Sequence, residues 1–163
     1  MEIRKANIND IDKLVHLRLM MRIEREKRNS INVSARDTDL ITNNIEQFKQ
    51  VTREYYLDHI KDESFISYIC IDGDAIVATS GLCFCYVPPT FNNITGKVGY
   101  IMNMYTIPSY RRNGIAFLLL DVLMKNVKEL NCKEVVLSAS EMGKNLYINY
   151  GFSYKDNCMK YLF

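Results

Sequence analysis

Hydrophobic residues recur at helical spacing in three long stretches of the chain. Residues three and four positions apart share one face of a helix, so this pattern predicts amphipathic helices that each bury one side. The first stretch follows Asn9, a good N-cap residue, and ends near Glu26, whereas the second runs from about Asp39 to Ile60. The third runs from Ile115 to about Asn131 and is the clearest. We therefore expect three long helices.

Shorter apolar or alternating runs, which are typical of strands, lie between these helices. EIRKA gives a first strand, and FISYICIDGDAIVATSGLCFCYV gives a second and a third around Asp72-Gly73, a pair that favours a tight hairpin. VGYIMNMYTI gives a fourth strand that ends at Pro108, and KEVVLSA gives a fifth. A short helix, EMGKNLYINYG, is closed by Gly151. The terminal segment FSYKDNCMKYLF predicts a hairpin that turns at Asp156-Asn157.

The order of these elements, β-α-α-β-β-β-α-β-α-β-β, predicts an α/β fold with a mixed sheet of the α+β type. The fourth and fifth strands should be parallel, because the helix between them would make a right-handed crossover. A chain of 163 residues without repeats or linkers suits a single domain, which we expect to span residues 1–163.

Composition narrows the classes of function. The 21 Lys and Arg residues nearly balance 19 Asp and Glu, and the formal charge of +2 argues against a nucleic-acid partner. The 2 histidines, and 5 cysteines without a CxxC pair, offer little for a metal centre, so no metal is expected. We interpret the cysteines as buried thiols in a reducing compartment. The charged N-terminus and the lack of any run of about 20 apolar residues predict a cytoplasmic protein without a membrane partner.

A basic turn, Arg111-Arg112-Asn113-Gly114-Ile115-Ala116, stands between the fourth strand and the third helix. The first amides of a helix have no partner within it and lie at the positive end of the helix dipole, so such a turn can bind a diphosphate. The same pattern alone is also typical of a solvated loop. It is neither GxxxxGK[ST] nor GxGxxG, and therefore indicates neither a triphosphate site nor a dinucleotide site.

Two blocks of the sequence, MNMYTIPSYRRNGIA and SASEMGKNLYINYGF, together resemble the paired signature of the GNAT superfamily of N-acetyltransferases. The first is similar to the family's [QR]-x-x-G-x-[GA] loop through Arg111, Gly114 and Ala116. The second is similar to its helix ending in Tyr-x-x-x-Gly-Phe, through Tyr147, Gly151 and Phe152. Element order extends the resemblance over nearly the whole chain, although the first 60 residues match by topology alone. It implies the acyl-CoA N-acyltransferase fold, in which the fourth and fifth strands splay apart.

This resemblance implies acetyl-CoA as the co-substrate. The diphosphate would lie on the backbone amides of the turn, which are those of Arg111, Arg112, Asn113, Gly114, Ile115 and Ala116. The pantetheine arm would run along the fourth strand, where a bulge would present the backbone of Met104, Tyr105 and Thr106 in place of a missing sheet neighbour. An amide of this stretch could also stabilise the developing oxyanion.

The short helix would supply the rest of the cofactor site. One helical face would be shared by Ser140, Gly143, Lys144 and Tyr147, according to their spacing. The resemblance implies that this face lies against the cofactor. Ser140 stands where the family often has Asn, and Gly143 takes a small-residue position near the pantetheine. Tyr147 would be the catalytic acid that protonates the leaving thiolate, whose parent thiol has a pKa of about 8.5 by analogy with Cys. The alternative for Tyr147 is an aromatic that packs the helix onto the sheet.

The sequence assigns no general base. Many family members carry a Glu on the fourth strand or its neighbour, whereas VGYIMNMYTI has no carboxylate and Asn103 can only hydrogen-bond. Glu24 and Glu26, near the end of the first helix, and a relayed water are the alternatives. We expect His16 and His59 to be surface residues.

The acceptor is expected among the connection of the first two helices, the loop from Tyr86 to Lys97 and the terminal hairpin. Tyr86, Phe91 and Tyr105 could line its pocket or belong to the core. We predict an N-acetyltransferase acting on a primary amine, of a small molecule or a peptide, by direct attack in a ternary complex. The alternatives are a non-catalytic CoA-binding sensor or scaffold, and an acetyltransferase toxin acting on charged transfer RNA, which the charge of +2 supports little. The chain could also form a homodimer.

Overall fold

The computed structural model describes residues 1–29, 35–155 and 161. The strands in these residues are β1 (Glu2–Lys5), β2 (Phe65–Ile66), β3 (Tyr68–Asp72), β4 (Ala75–Tyr86), β5 (Lys97–Thr106) and β6 (Glu134–Leu137). The helices are α1 (Ile11–Asn29), α2 (Ala35–Lys61), α3 (Ile115–Glu129) and α4 (Lys144–Tyr150). The mixed α/β class and the order of elements through α4 are confirmed, with the second predicted strand divided into β2 and β3. The predicted turn at Asp156-Asn157 lies outside the described residues.

The strands form one mixed sheet in the order β1-β3-β4-β5-β6, with β2 also paired to β4. All neighbours are antiparallel except β5 and β6, which run parallel from the pair Val98–Glu134 to the pair Ile101–Leu137. α3 connects these two strands, as a crossover helix must. The predicted parallel pair is therefore confirmed.

The strand β5 continues beyond its last partner in β6. Residues 102–106 still pair with β4 on one side, but β6 ends at Leu137, and no other strand of the described residues pairs with the other side of β5. The pairing with β4 shifts within this stretch, since Thr79 faces Tyr105 while Gly81 faces Met102. Asn103 sits in this bulge with a φ of 55°. The expected splay and bulge are both present, and they create a gap in the sheet at Met102.

Helices cover both faces of the sheet. On one face, α1 and α2 bury Leu14, Leu17 and Tyr56 against a cluster that includes Tyr105 of β5. On the other face, the cluster formed with α3 and α4 includes Leu82, Ile101, Leu120, Leu123, Val127 and Tyr147. The gap between β5 and β6 thus lies between two helical layers.

A short 3₁₀ turn, Ile8–Asp10, leads into α1 and corrects the predicted N-cap. The cap is Asn7, whose side-chain oxygen accepts from the Asn9 amide at 2.9 Å, and Asp10 accepts from the Asn7 amide at 2.9 Å. This reciprocal pair satisfies two amides that the start of a helix would leave free. Arg4 also donates to Asp10, at 2.7 and 2.8 Å, and this bond lowers the pKa of that carboxyl. The 3₁₀ turn that leads into α1 therefore begins at Ile8, two residues earlier than a cap at Asn9 would allow.

The prediction of buried thiols holds for only part of the cysteines. Cys70 and Cys132 are buried and Cys83 is partly buried, but Cys85 is exposed near the end of β4. Cys158 lies outside the described residues. Among the residues that the structure describes, no cluster of His, Cys, Asp and Glu could hold a metal ion. No helix in that part of the chain has the length and apolar character needed to cross a membrane.

Candidate functional site

The loop before α3 presents a row of free backbone amides. Arg112 and Gly114 have positive φ values of 68° and 75°, and residues in that conformation next to right-handed ones turn successive N–H groups toward one point. In the described chain, no acceptor bonds to the N–H groups of residues 112–117, whereas Leu118 donates to the Gly114 carbonyl at 3.1 Å. A Cβ at Gly114 would meet nothing within 4 Å. The open space and the unpaired donors fit an anion such as the diphosphate of CoA.

The two arginines of this loop have different surroundings. Arg112 is exposed at the loop opening. Arg111 instead turns to α1, where its Nη1 and Nη2 donate to the Glu24 carboxylate at 2.8 and 2.6 Å, and its Nε donates to the Thr106 carbonyl at 2.9 Å. The Arg111 amide donates to Pro108, at 3.3 Å. The Arg111 side chain therefore ties the loop to α1 and to the end of β5.

Glu24 and Glu26, the carboxylates weighed as bases, are both engaged in ion pairs. Glu24 accepts from Arg111 and also from Arg28, and Glu26 accepts from Arg22 at 2.7 Å. His16 is exposed on α1, and the Nδ1 of the partly buried His59 lies 2.6 Å from Ser64 Oγ. None of these contacts points to a role as general base.

The residues predicted on the short helix do come together, although α4 begins only at Lys144. Ser140 precedes the helix, and its carbonyl accepts from the Lys144 amide at 3.1 Å, which extends the helical spacing backward. A Cβ at Gly143 would lie 3.2 Å from the Tyr147 ring and 3.3 Å from Ser140 Oγ. Ser140, Gly143 and Tyr147 therefore share one face, while the Lys144 ammonium donates to Glu141 at 2.6 Å.

Tyr147 is largely buried at the base of that face. Its ring meets Phe152 edge to face, with centroids 5.8 Å apart, and it belongs to the α3–α4 side of the core. Burial raises the pKa of Tyr147 to about 12, and no described residue hydrogen-bonds to its hydroxyl. The phenol is thus protonated at neutral pH and available to a ligand, so packing and proton donation are compatible roles for the same side chain.

A cavity of about 580 Å³ lies on the opposite face of the sheet, between α1, α2 and β5. Its lining includes Arg18, Phe48, Thr52, Tyr55, Tyr56 and Asn103. It reaches β5 at Met102 and Asn103, where that strand parts from β6. The cavity and the Tyr147 face therefore meet the gap in the sheet from opposite sides.

No sequence pattern indicated this cavity. Of the three aromatic candidates for the acceptor pocket, Tyr86 and Phe91 are exposed and Tyr105 is buried in the core. Tyr55 lies within the second helical stretch of the sequence, but the spacing of its apolar residues does not show that α2 lies over the bulge of β5.

The floor of the cavity is a hydrogen-bonded group of three side chains. Asn103 donates through Nδ2 to the Tyr56 hydroxyl at 2.9 Å, and its Oδ1 accepts from Arg18 Nη1. Burial raises the pKa of Tyr56 to about 12, although the nearby Arg18 charge acts in the opposite direction. Asn tolerates the positive φ of the bulge better than most residues do. Of the described side chains, no carboxylate lines the cavity.

The two buried phenols predict a loss of stability in alkali. Since burial favours the neutral form, the stabilisation from Tyr56 and Tyr147 is fully present below the ordinary pKa of 10.0 and is lost as the pH rises toward about 12. We expect the ionisation of each phenol to lower the free energy of unfolding by about 2 to 3 kcal/mol over that pH range. Urea unfolding from about pH 9 to about pH 12 measures it.

Phenylalanine variants provide the control for this pH dependence. Tyr56→Phe or Tyr147→Phe should flatten the fall in stability, whereas Tyr86→Phe, at a residue that is 74% exposed, should leave it unchanged. Equal slopes in all three variants would contradict the assignment to the buried phenols.

Comparison with known proteins supports the resemblance seen in the sequence. Residues 31–152 match the model of the acetyltransferase (GNAT) family. A predicted acetyltransferase from Clostridium acetobutylicum, solved with acetyl-CoA, is 31% identical, with a TM-score of 0.81 over 99% of this chain and 95% of that chain. A GCN5-related N-acetyltransferase from Ralstonia eutropha is 26% identical, with a TM-score of 0.81 over 99% of this chain and 97% of the other.

A more distant structure shares the fold alone. Glucosamine-6-phosphate N-acetyltransferase from Arabidopsis thaliana is 20% identical, with a TM-score of 0.67 over 99% of this chain and 97% of that chain. None of the curated proteins matches the sequence.

Proposed function

The chain belongs to the GNAT family of acetyltransferases, and we propose that it transfers an acetyl group from acetyl-CoA to a primary amine by direct attack in a ternary complex. The observation that carries this proposal is the gap beside residues 102–106 of β5, which the free amides and Tyr147 approach from one face and the cavity from the other. In this proposal residues 1–163 act as one N-acetyltransferase domain. The matched family and the solved structures favour an acetyltransferase over a non-catalytic CoA-binding sensor or scaffold.

On the cofactor side, the residues of the chain have separate tasks. The amides of residues 111–116 would hold the diphosphate, with that of Arg111 the least available because it already donates to Pro108. The unpaired edge of β5 at Met104, Tyr105 and Thr106 would align the pantetheine arm, as an added strand does. Bound acetyl-CoA supplies the acetyl group as an activated thioester. Ser140, Gly143 and Lys144 would form the wall opposite β5.

The reaction moves one proton from the amine and one proton to the sulfur. We assign the second transfer to Tyr147, which stays protonated up to a pH near its pKa of about 12 and can donate to a thiolate in the gap. For the first transfer, the cavity offers no carboxylate from the described residues. In our proposal the acceptor ammonium therefore loses one proton to solvent and attacks as the free base. The nitrogen of the tetrahedral intermediate then loses its second proton to solvent, and solvent restores the proton that Tyr147 gives to the sulfur.

The absence of such a base among the described cavity residues gives a testable pH dependence. We expect the logarithm of kcat/KM to rise with pH with a slope of about one until the pH reaches the pKa of the amine, because only the free base attacks. Two amines whose pKa values differ by about two units should therefore show breaks about two units apart. Thiol release measured across pH tests this. A break at one common pH for both amines would reveal a titrating base in the enzyme.

We also propose a cellular location, an acceptor class and an oligomeric state for the enzyme. A reducing, cytoplasmic location is supported by the free thiols of Cys70, Cys83, Cys85 and Cys132. The acceptor would be a small molecule or a peptide. A homodimer would show directly as a doubled mass in light scattering.

A further inference from the structure

Arg18 is the charged side chain of the cavity in the described part of the chain. The rest of the lining is neutral, and its walls are largely apolar or aromatic, as at Phe48, Val51 and Tyr55. The field of Arg18 reaches both cavity tyrosines, because it opposes the rise that burial causes in the pKa of Tyr55 and of Tyr56. A ligand in this cavity would therefore meet, among the described side chains, one positive charge on an otherwise uncharged wall.

The pairing of the arginines singles out Arg18. Arginines paired with a carboxylate within the described residues are Arg4, Arg22, Arg28, Arg53 and Arg111. Arg18 is partly buried, yet its protein partner in that part of the chain is the neutral Asn103, which takes one of its donors. Arg25 and Arg112 also have no carboxylate partner there, but both are exposed to water. A half-buried guanidinium with spare donors is a favourable site for an anion.

We propose that Arg18 binds a carboxylate of the acceptor, so that the cavity takes an amine that also carries a carboxylate and an apolar body. This inference rests on the proposed function, because it treats the cavity as the acceptor site. One guanidinium balances one carboxylate, and its planar fork can donate two parallel bonds to it. A doubly charged phosphate would leave an unbalanced charge against Phe48 and Val51, and a polyamine would be repelled by Arg18.

Matched amines test the proposal by kinetics. One pair is L-phenylalanine and phenethylamine, and the other is 6-aminohexanoate and hexylamine, each compared at equal concentrations of the free amine. We expect kcat/KM from thiol release to favour the carboxylate member of at least one pair by about tenfold to a hundredfold, the range for a hydrogen-bonded charge pair. In Arg18→Gln the ratio should fall to about one through a rise in KM. Arg18→Lys should keep part of the preference.

A nearby arginine provides the matched control. Arg22 lies one turn further along α1, is paired with Glu26 and does not line the cavity, so Arg22→Gln should keep the wild-type ratio. Circular dichroism melts of all variants separate loss of recognition from loss of folding. A ratio near one in the wild type, or an unchanged preference in folded Arg18→Gln, overturns the assignment of Arg18.

Thiol release and calorimetry together distinguish a failure of this inference from a failure of the proposed function. Thiol release that is equal for both members of each pair would sustain the acetyltransferase proposal and overturn the carboxylate site. If acetyl-CoA binds but no amine releases thiol, the proposed function fails. In that case L-phenylalanine should still bind to the wild type, and at least tenfold more weakly to Arg18→Gln, if the anion site is real. Equal or undetectable binding to both proteins would overturn the site as well.

Discussion

Gly114→Glu is expected to weaken acetyl-CoA binding by about a hundredfold or more. The new carboxylate would enter the open space at the N-terminus of α3 and compete for the free amides of residues 112–117, each of which can contribute about 1.5 to 3 kcal/mol to binding a charged group. It would also repel the diphosphate. Since φ at Gly114 is 75°, the substitution itself costs about 1 to 2 kcal/mol of stability. Isothermal calorimetry at fixed ionic strength measures the loss of affinity.

A second glycine separates charge at the loop from backbone strain. Gly73 also has a positive φ, 58°, with nothing within 4 Å of its would-be Cβ, but it lies in the turn between β3 and β4. Gly73→Glu should therefore lose similar stability and keep its affinity for acetyl-CoA. Wild-type affinity in a folded Gly114→Glu variant would show that the diphosphate is held elsewhere.

Tyr147→Phe should lower kcat by about a hundredfold while leaving the Kd for acetyl-CoA unchanged within about twofold. The ring would still pack against Phe152, so the variant loses the hydroxyl and little else. General acid catalysis commonly contributes about a hundredfold or more. The deficit should persist from about pH 7 to about pH 10, because the pKa of Tyr147 near 12 keeps the wild-type phenol protonated throughout. Single-turnover kinetics with a saturating amine measure it.

Tyr150 is the matched control on the same helix. Its hydroxyl donates to Asp121 at 3.0 Å, toward α3, so Tyr150→Phe should keep the wild-type kcat. An undiminished rate in Tyr147→Phe at every pH would remove Tyr147 from the mechanism and leave it as a packing residue.

Local patterns predicted most of the elements that would form the proposed cofactor side. The stripe of α3 and the parallel strands follow from spacing alone, because each lies within a short run of the sequence. The loop from Arg111 to Ala116 carries its own backbone signal in Gly114. The start of α4 was predicted at Glu141, three residues too early, because the turn that begins at Ser140 already has the helical spacing.

The acceptor side could not be predicted in the same way, because its contacts are tertiary. Asn103 meets Tyr56 and Arg18 across 47 and 85 residues of sequence, and Arg111 meets Glu24 across 87. No short pattern in the sequence predicts such pairs. The sequence showed that β5 lacks a carboxylate, but only the fold shows that a guanidinium stands beside Asn103 instead.

The helix α1 is attached to both proposed ligand sites. Glu24 bonds to Arg111 in the cofactor loop, and Arg18 bonds to Asn103 at the cavity floor. The two attachments are about 9 Å apart along a single helix, which transmits displacement from one end to the other. Movement of α1 on binding one substrate would shift the opposite site as well. Any resulting cooperativity must be reciprocal, so that each substrate alters the affinity for the other by the same factor.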